Sequence, residues 1–105
     1  MRTSDDISKL VEAELRRIRD VEAEMKMRAM MVRPYPIERD WEYGKAGDQI
    51  TCWMVAEDVD AGIAIAYSEH GFGPGKPWGV VPLSGYEMGH DWFRSLEDAV
   101  KRSIG

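Results

Sequence analysis

The chain has 105 residues, of which 44% are hydrophobic and 31% charged, and its formal net charge is −5. This size and composition are typical of one globular domain, so we expect residues 1–105 to form a single domain with a modest core. The acidic balance disfavours nucleic acid as a partner, the apolar runs are too short to span a membrane, and the lone Cys52 excludes an intramolecular disulfide. No cationic segment leads into an apolar run at the N-terminus, so we expect a cytoplasmic protein.

An amphipathic pattern predicts one long helix over residues 4–32. Apolar residues recur there at spacings of three, four and seven, and neither glycine nor proline interrupts them. We expect Val11, Ile18 and Met25 to be buried against a sheet, and the helix to end before Pro34. Only one of its two heptad series is fully apolar, which favours packing on the protein's own sheet over a coiled coil. A monomer is therefore expected, with a homodimer through this helix as the alternative.

The aromatic residues concentrate after the prolines and predict an antiparallel sheet within residues 39–83. The short, turn-rich connections between the first three segments suit hairpins. In the third strand Ala64 and Ala66 share one face, and this small-residue face is expected to receive the first helix. The four predicted strands cover about 39–44, 50–57, 62–68 and 78–83.

A second, shorter helix is predicted over residues 95–104, where Ser95 and Asp98 have the spacing of a capping box. The fold class is therefore α+β. We expect a long N-terminal and a short C-terminal helix on a three- to four-stranded antiparallel sheet, in two layers and in the order α-β-β-β-(β)-α. This order resembles that of double-stranded-RNA-binding domains. Those domains carry lysines where this chain has Glu97 and Asp98, so the resemblance transfers no functional residue.

Residue types that commonly carry chemistry show no catalytic or metal-binding spacing in this sequence. The glycine-rich loop 71–77 lacks the phosphate-loop pattern, because Pro77 stands where a hydroxyl residue would be needed. His70 and His90 lie 20 residues apart, and Cys52 is placed within a predicted strand. We therefore expect no cofactor and no metal, and we favour a non-enzymatic role.

Residues 38–60 are strongly acidic, with seven acidic and two basic residues and thus a net charge of −5. Acidic groups backed by aromatic residues are typical of a surface that binds a cationic protein. The simpler explanation is that these charges keep the protein soluble and its edge strand unpaired. The residues predicted to contact the partner are Asp40, Trp41, Glu42, Glu57, Asp58 and Asp60.

In size, charge and layout the chain resembles small bacterial immunity proteins or phage-encoded inhibitors that block a nucleic-acid-handling enzyme. This resemblance is one of composition, and it implies a non-enzymatic interaction protein that binds a cationic protein surface. The alternative is a domain that binds or converts a small molecule within residues 69–92. Its ligand surface would comprise Phe72, Trp78, Tyr86, His90 and Trp92.

Overall fold

The computed structural model describes residues 3–40, 49–69, 75–83 and 91–104, with the side chains of residues 39, 40, 49 and 50 left out. These described residues form three helices and one five-stranded antiparallel sheet, so the predicted α+β class is confirmed. The elements in chain order are α1 (Ser4–Leu15), α2 (Val21–Met30), β1 (Met31–Asp40), β2 (Gln49–Asp58), β3 (Ile63–Tyr67), β4 (Trp78–Pro82), β5 (Asp91–Phe93) and α3 (Leu96–Ile104).

The N-terminal segment forms two helices, so the prediction of one helix over residues 4–32 is wrong. Asp20 leaves the helical conformation, with φ −78° and ψ 117°, and its side chain accepts a 3.0 Å hydrogen bond from the backbone amide of Ala23. Aspartate at such a position caps a new helix, because it satisfies an amide that has no partner within the helix. The turn over residues 16–20 therefore ends α1 and starts α2.

This turn changes which side chains face the sheet. Val11 and Ile18 are buried, as predicted. Met25 is 66% exposed, and its predicted burial is wrong. Because the helical phase restarts at Asp20, the core-facing positions of α2 are Ala23, Met27 and Met30 instead.

The sheet has the order β1-β2-β3-β4-β5, with β1 and β5 at its edges. In the described part of the chain it contains five strands rather than the three or four expected, because β5 was not predicted. The first strand starts at Met31, eight residues before the predicted strand 39–44, whose residues 41–44 lie outside the described part of the chain. Pro34 and Pro36 lie within β1, which suits an edge strand because proline has no amide to donate to a neighbouring strand.

The three helices cover one face of the sheet, which we call the helix-covered face. Ile65 and Tyr67 belong to that face, where they share a core cluster with residues of α1, α2 and α3. Ala64 and Ala66 lie on the second face, in a separate cluster that includes Trp92. The expectation that the alanine face receives the first helix is therefore wrong. The larger side chains fill the space under the helices, and the alanines share the second face with the Trp92 indole.

A bulge in β2 determines which face its last residues occupy. Met54 pairs with Ala66 and Ala56 pairs with Ile65, so Val55 is one extra residue in the strand. Both Val55 and Ala56 are buried in the helix-covered cluster. Beyond the bulge the alternation resumes with Glu57 on the second face and Asp58 on the helix-covered face.

Candidate functional site

The predicted acidic contact residues lie at two opposite ends of the β1–β2 ladder. Asp40 pairs with Gln49 at one end, whereas Asp58 ends β2 nine residues later. At about 3.3 Å per residue, these two ends are about 30 Å apart. Trp41 and Glu42 lie outside the described residues. Asp40 and the group Glu57, Asp58 and Asp60 therefore do not form one continuous patch in the described structure.

Asp58 is bound within the fold and is not available to a partner. Its carboxylate lies 2.7 Å from Nζ of Lys26 on α2, and it accepts a 3.1 Å hydrogen bond from the backbone amide of Ala61. The hydrogen bond from Lys26, followed by that from Ala61, holds the pKa of Asp58 below its ordinary value. This side chain therefore joins α2 to the β2–β3 turn.

The β2–β3 turn is tight and exposes one apolar and one acidic side chain at its tip. The amide of Gly62 donates to the carbonyl of Asp58 at 2.9 Å, and Gly62 has a φ of 71°, which glycine adopts without strain. Val59 is 74% exposed, and Asp60 is exposed as well. The Lys26–Asp58 pair and the turn hydrogen bonds fix the backbone that carries these two side chains.

Tyr35 is a surface aromatic residue outside both predicted contact surfaces. It is 39% exposed, and its hydroxyl donates a hydrogen bond to the carboxylate of Glu57. Pairing of Tyr35 with Met54 and of Glu57 with Ala64 places both side chains on the second face. We call Tyr35, Glu57, Val59 and Asp60 the Tyr35 patch. The sequence signal for this residue is the pair Pro34 and Pro36, which is typical of an edge strand as well as of the end of a helix.

The alternative ligand surface is described at two of its five positions. Trp78 is buried on the helix-covered face, with its ring centroid 4.9 Å from that of Tyr67. Trp92 is buried on the second face. The structure therefore places these two tryptophans in different clusters rather than on one ligand surface. Phe72, Tyr86 and His90 lie outside the described residues.

A concave site of about 350 Å³ lies between α1 and β1, away from both predicted surfaces. Between Met31 and Tyr35, β1 has two residues more than the paired stretch of β2, so the strand bulges next to α1. The hydroxyl of Ser4 donates a 2.7 Å hydrogen bond to the carbonyl of Pro34 and ties the bulge to the start of α1. We call this site the α1–β1 cleft. Its lining residues are Ser8, Val11, Glu12, Met31, Val32, Arg33 and Pro34.

Metal-ligating side chains do not assemble in the described ranges, which contain no group of three or more His, Cys, Asp or Glu residues able to hold an ion. The thiol of Cys52 is buried on the second face, in the cluster that contains Met54 and Trp92.

Comparison with known protein families, curated proteins and solved structures finds no match for this chain. In the part of the chain that the structure describes, none of the helices is long and apolar enough to cross a membrane.

Proposed function

We propose that this protein is a non-enzymatic interaction protein that binds a cationic protein surface through the Tyr35 patch. The observation that carries the proposal is the hydrogen bond from the exposed Tyr35 to Glu57, next to a turn that presents Val59 and Asp60. Within the predicted acidic region 38–60, the proposed contact is limited to the residues at the Asp58 end of β2. Asp58 itself is paired with Lys26, so the proposed central contact is Tyr35 on the neighbouring strand β1.

The charges of the patch are available to a partner. Neither Glu57 nor Asp60 has a basic side chain as an ion-pair partner among the described residues, whereas Asp58 is paired with Lys26. Opposite charge accelerates the encounter with a cationic surface. Glu57 also orients the Tyr35 ring before binding, which reduces the side-chain entropy lost on association. A preoriented aromatic residue beside two carboxylates that have no basic partner among the described residues suits a partner rich in lysine and arginine.

We extend this proposal to an immunity- or inhibitor-like role. Enzymes that handle nucleic acids present basic surfaces to phosphate groups, and an acidic protein that covers such a surface blocks access to it. Asp40, Trp41 and Glu42 are a second proposed contact group, at the other end of the β1–β2 ladder.

We also propose that the protein acts as a monomer. The prolines of β1 hinder the pairing of this edge strand with a second copy. Of the methionines of α2, Met27 and Met30 are buried in the core and only Met25 is well exposed. Sedimentation should therefore show a monomer at micromolar concentration. A stable dimer that the substitution Met25→Glu dissociates would overturn this part of the proposal.

Comparative capture from a lysate of the source organism tests the contact surface. The baits are the wild-type protein, a Glu57→Gln/Asp60→Asn variant, and a control variant with Glu22→Gln and Asp98→Asn, which removes two acidic groups from the helices. The wild-type and control proteins should retain the same basic protein at low salt and release it at high salt. The patch variant should retain much less.

Two results would count against the Tyr35 patch. Equal retention by the patch variant and the control would show that Glu57 and Asp60 do not contribute. A loss confined to a fourth bait, Asp40→Asn/Glu42→Gln, would place the contact at the other end of the ladder.

A further inference from the structure

The α1–β1 cleft combines an apolar floor with polar groups at its rim. Ser8, Val11 and Glu12 occupy positions i, i+3 and i+4 of α1 and therefore lie on one stripe of the helix. Val11 is only 2% exposed and Pro34 is buried, so the floor is apolar. The volume of about 350 Å³ falls at the lower end of the range of small-molecule sites.

The rim carries one negative and one positive group that are available to a ligand. The carboxylate of Glu12 is exposed and has neither an ion pair nor a hydrogen bond among the residues that the structure describes. The positive group is Arg33, whose guanidinium Nη2 lies 3.8 Å from Oδ1 of Asp5, and both side chains are about 80% exposed. Such an exposed and long ion pair is weak, so a ligand can replace Asp5 as the partner of Arg33.

We propose that the α1–β1 cleft binds a small zwitterion with an apolar body, the chemistry of a free α-amino acid with an aliphatic side chain. The apolar body contacts Val11 and Val32, the ammonium group lies at Glu12, and the carboxylate lies at Arg33. This ligand class matches the floor and both charges of the rim, whereas a purely cationic or anionic ligand meets one like charge there. The inference is independent of the Tyr35 patch, in which Tyr35 and Glu57 lie on the other face of the sheet and Val59 and Asp60 lie in the β2–β3 turn.

Four related probes separate the contributions of the two charges. Leucine carries both groups, leucinamide lacks the carboxylate, N-acetylleucine lacks the ammonium group, and isoamyl alcohol lacks both. Each probe is titrated at neutral pH while the methyl resonances of Val11 and Val32 are followed by NMR. We expect leucine to shift these methyl groups at the lowest concentration. Loss of either charge should weaken binding about threefold or more, as expected for one partly exposed ionic contact.

Two variants assign the charges to residues. Glu12→Gln should bind leucine and N-acetylleucine equally, and Arg33→Gln should bind leucine and leucinamide equally. Glu22→Gln, which removes an exposed acid of α2, should behave as the wild type, and unchanged spectra of the ligand-free variants would show that they fold. Equal binding of all four probes, unchanged preferences in both variants, or no shift of Val11 and Val32 would overturn the proposal.

Discussion

Glu97, in the first turn of α3, accepts a 2.9 Å hydrogen bond from the backbone amide of Asp20, which precedes α2. The same oxygen accepts from the amide of Arg19 at 3.2 Å. The start of α3 is held in the same way by α1: the carboxylate of Glu14 accepts a 3.1 Å hydrogen bond from the amide of Leu96, the first residue of α3. Amides at the start of a helix lack partners within that helix. Two carboxylates from other helices therefore satisfy these amides and join the three helices into one layer.

Replacing Glu97 by Ala should destabilise the protein by about 1–3 kcal/mol, because two backbone amides lose a charged acceptor. Glu97→Gln should cost less, since the amide oxygen of glutamine still accepts hydrogen bonds. The measurement is urea unfolding at equilibrium. The control is Asp98→Ala, which removes from the same turn an exposed acid that accepts no backbone amide of α2 and should cost only the roughly 0.3–1 kcal/mol of an acid in the first turn of a helix. Equal stability of the Glu97→Ala variant and this control would contradict the role of Glu97.

Gly79 leaves room for the indole of Trp92 on the second face. A Cβ atom at position 79 would lie 2.5, 2.6 and 2.8 Å from the ring atoms Cδ2, Cε2 and Cε3 of Trp92. Gly79→Ala should therefore cost about 1–3 kcal/mol in unfolding free energy. In a double-mutant cycle with Trp92→Leu, the double variant should lose less stability than the sum of the two single variants. Strict additivity would show that the two residues do not compete for space.

The ion pair between Asp58 and Lys26 should make stability depend on pH on the acid side. Because the pKa of Asp58 is lowered in the folded state, the Asp58 carboxylate takes up a proton at a higher pH in the unfolded chain than in the folded protein. The stabilisation is fully present above the unfolded pKa of about 3.9 and is lost as the pH falls through the folded value. Urea unfolding between neutral pH and about pH 2 should show a smaller acid-side decline for Asp58→Asn than for the wild type. Parallel curves would contradict this assignment.

Ile18 and Met25 form a matched pair that tests where the N-terminal segment breaks. Ile18 is buried in the turn between α1 and α2, and Ile18→Ala should cost about 2–4 kcal/mol. Met25 is exposed, and Met25→Ala should change the unfolding free energy by about 0.5 kcal/mol or less. One continuous helix would bury both residues. A large loss in both variants, measured by denaturant unfolding, would therefore contradict the break.

The sequence predicted the fold class because helical periodicity and aromatic-rich strands are local patterns. It did not predict the break after α1, since residues 16–20 contain neither glycine nor proline and the turn depends on acceptors such as Glu97, 77 residues beyond Asp20. It also assigned Met31 and Val32 to the helix. Both have apolar side chains that suit a helix or a strand, and the strand forms there because β2 pairs with it.

The acidic segment could be found from composition, but its arrangement could not. The register between β1 and β2 places Asp40 and Asp58 at opposite ends of the ladder. Asp58 is paired with Lys26, which precedes it by 32 residues in the sequence. Tyr35 became a candidate only once β1 was known to start at Met31, because its position beside Glu57 depends on that strand pairing. Long-range contacts of this kind are absent from local sequence patterns.

The central claim is that the Tyr35 patch binds a cationic partner, and association kinetics with the captured partner test it most directly. The rates are measured at several salt concentrations for the wild type, Glu57→Gln/Asp60→Asn and Tyr35→Ala. The double variant should associate more slowly and with a weaker salt dependence, and Tyr35→Ala should mainly raise the dissociation rate. Melting temperatures measured alongside should show that all three proteins are folded. Unchanged association of the double variant at low salt would contradict the claim.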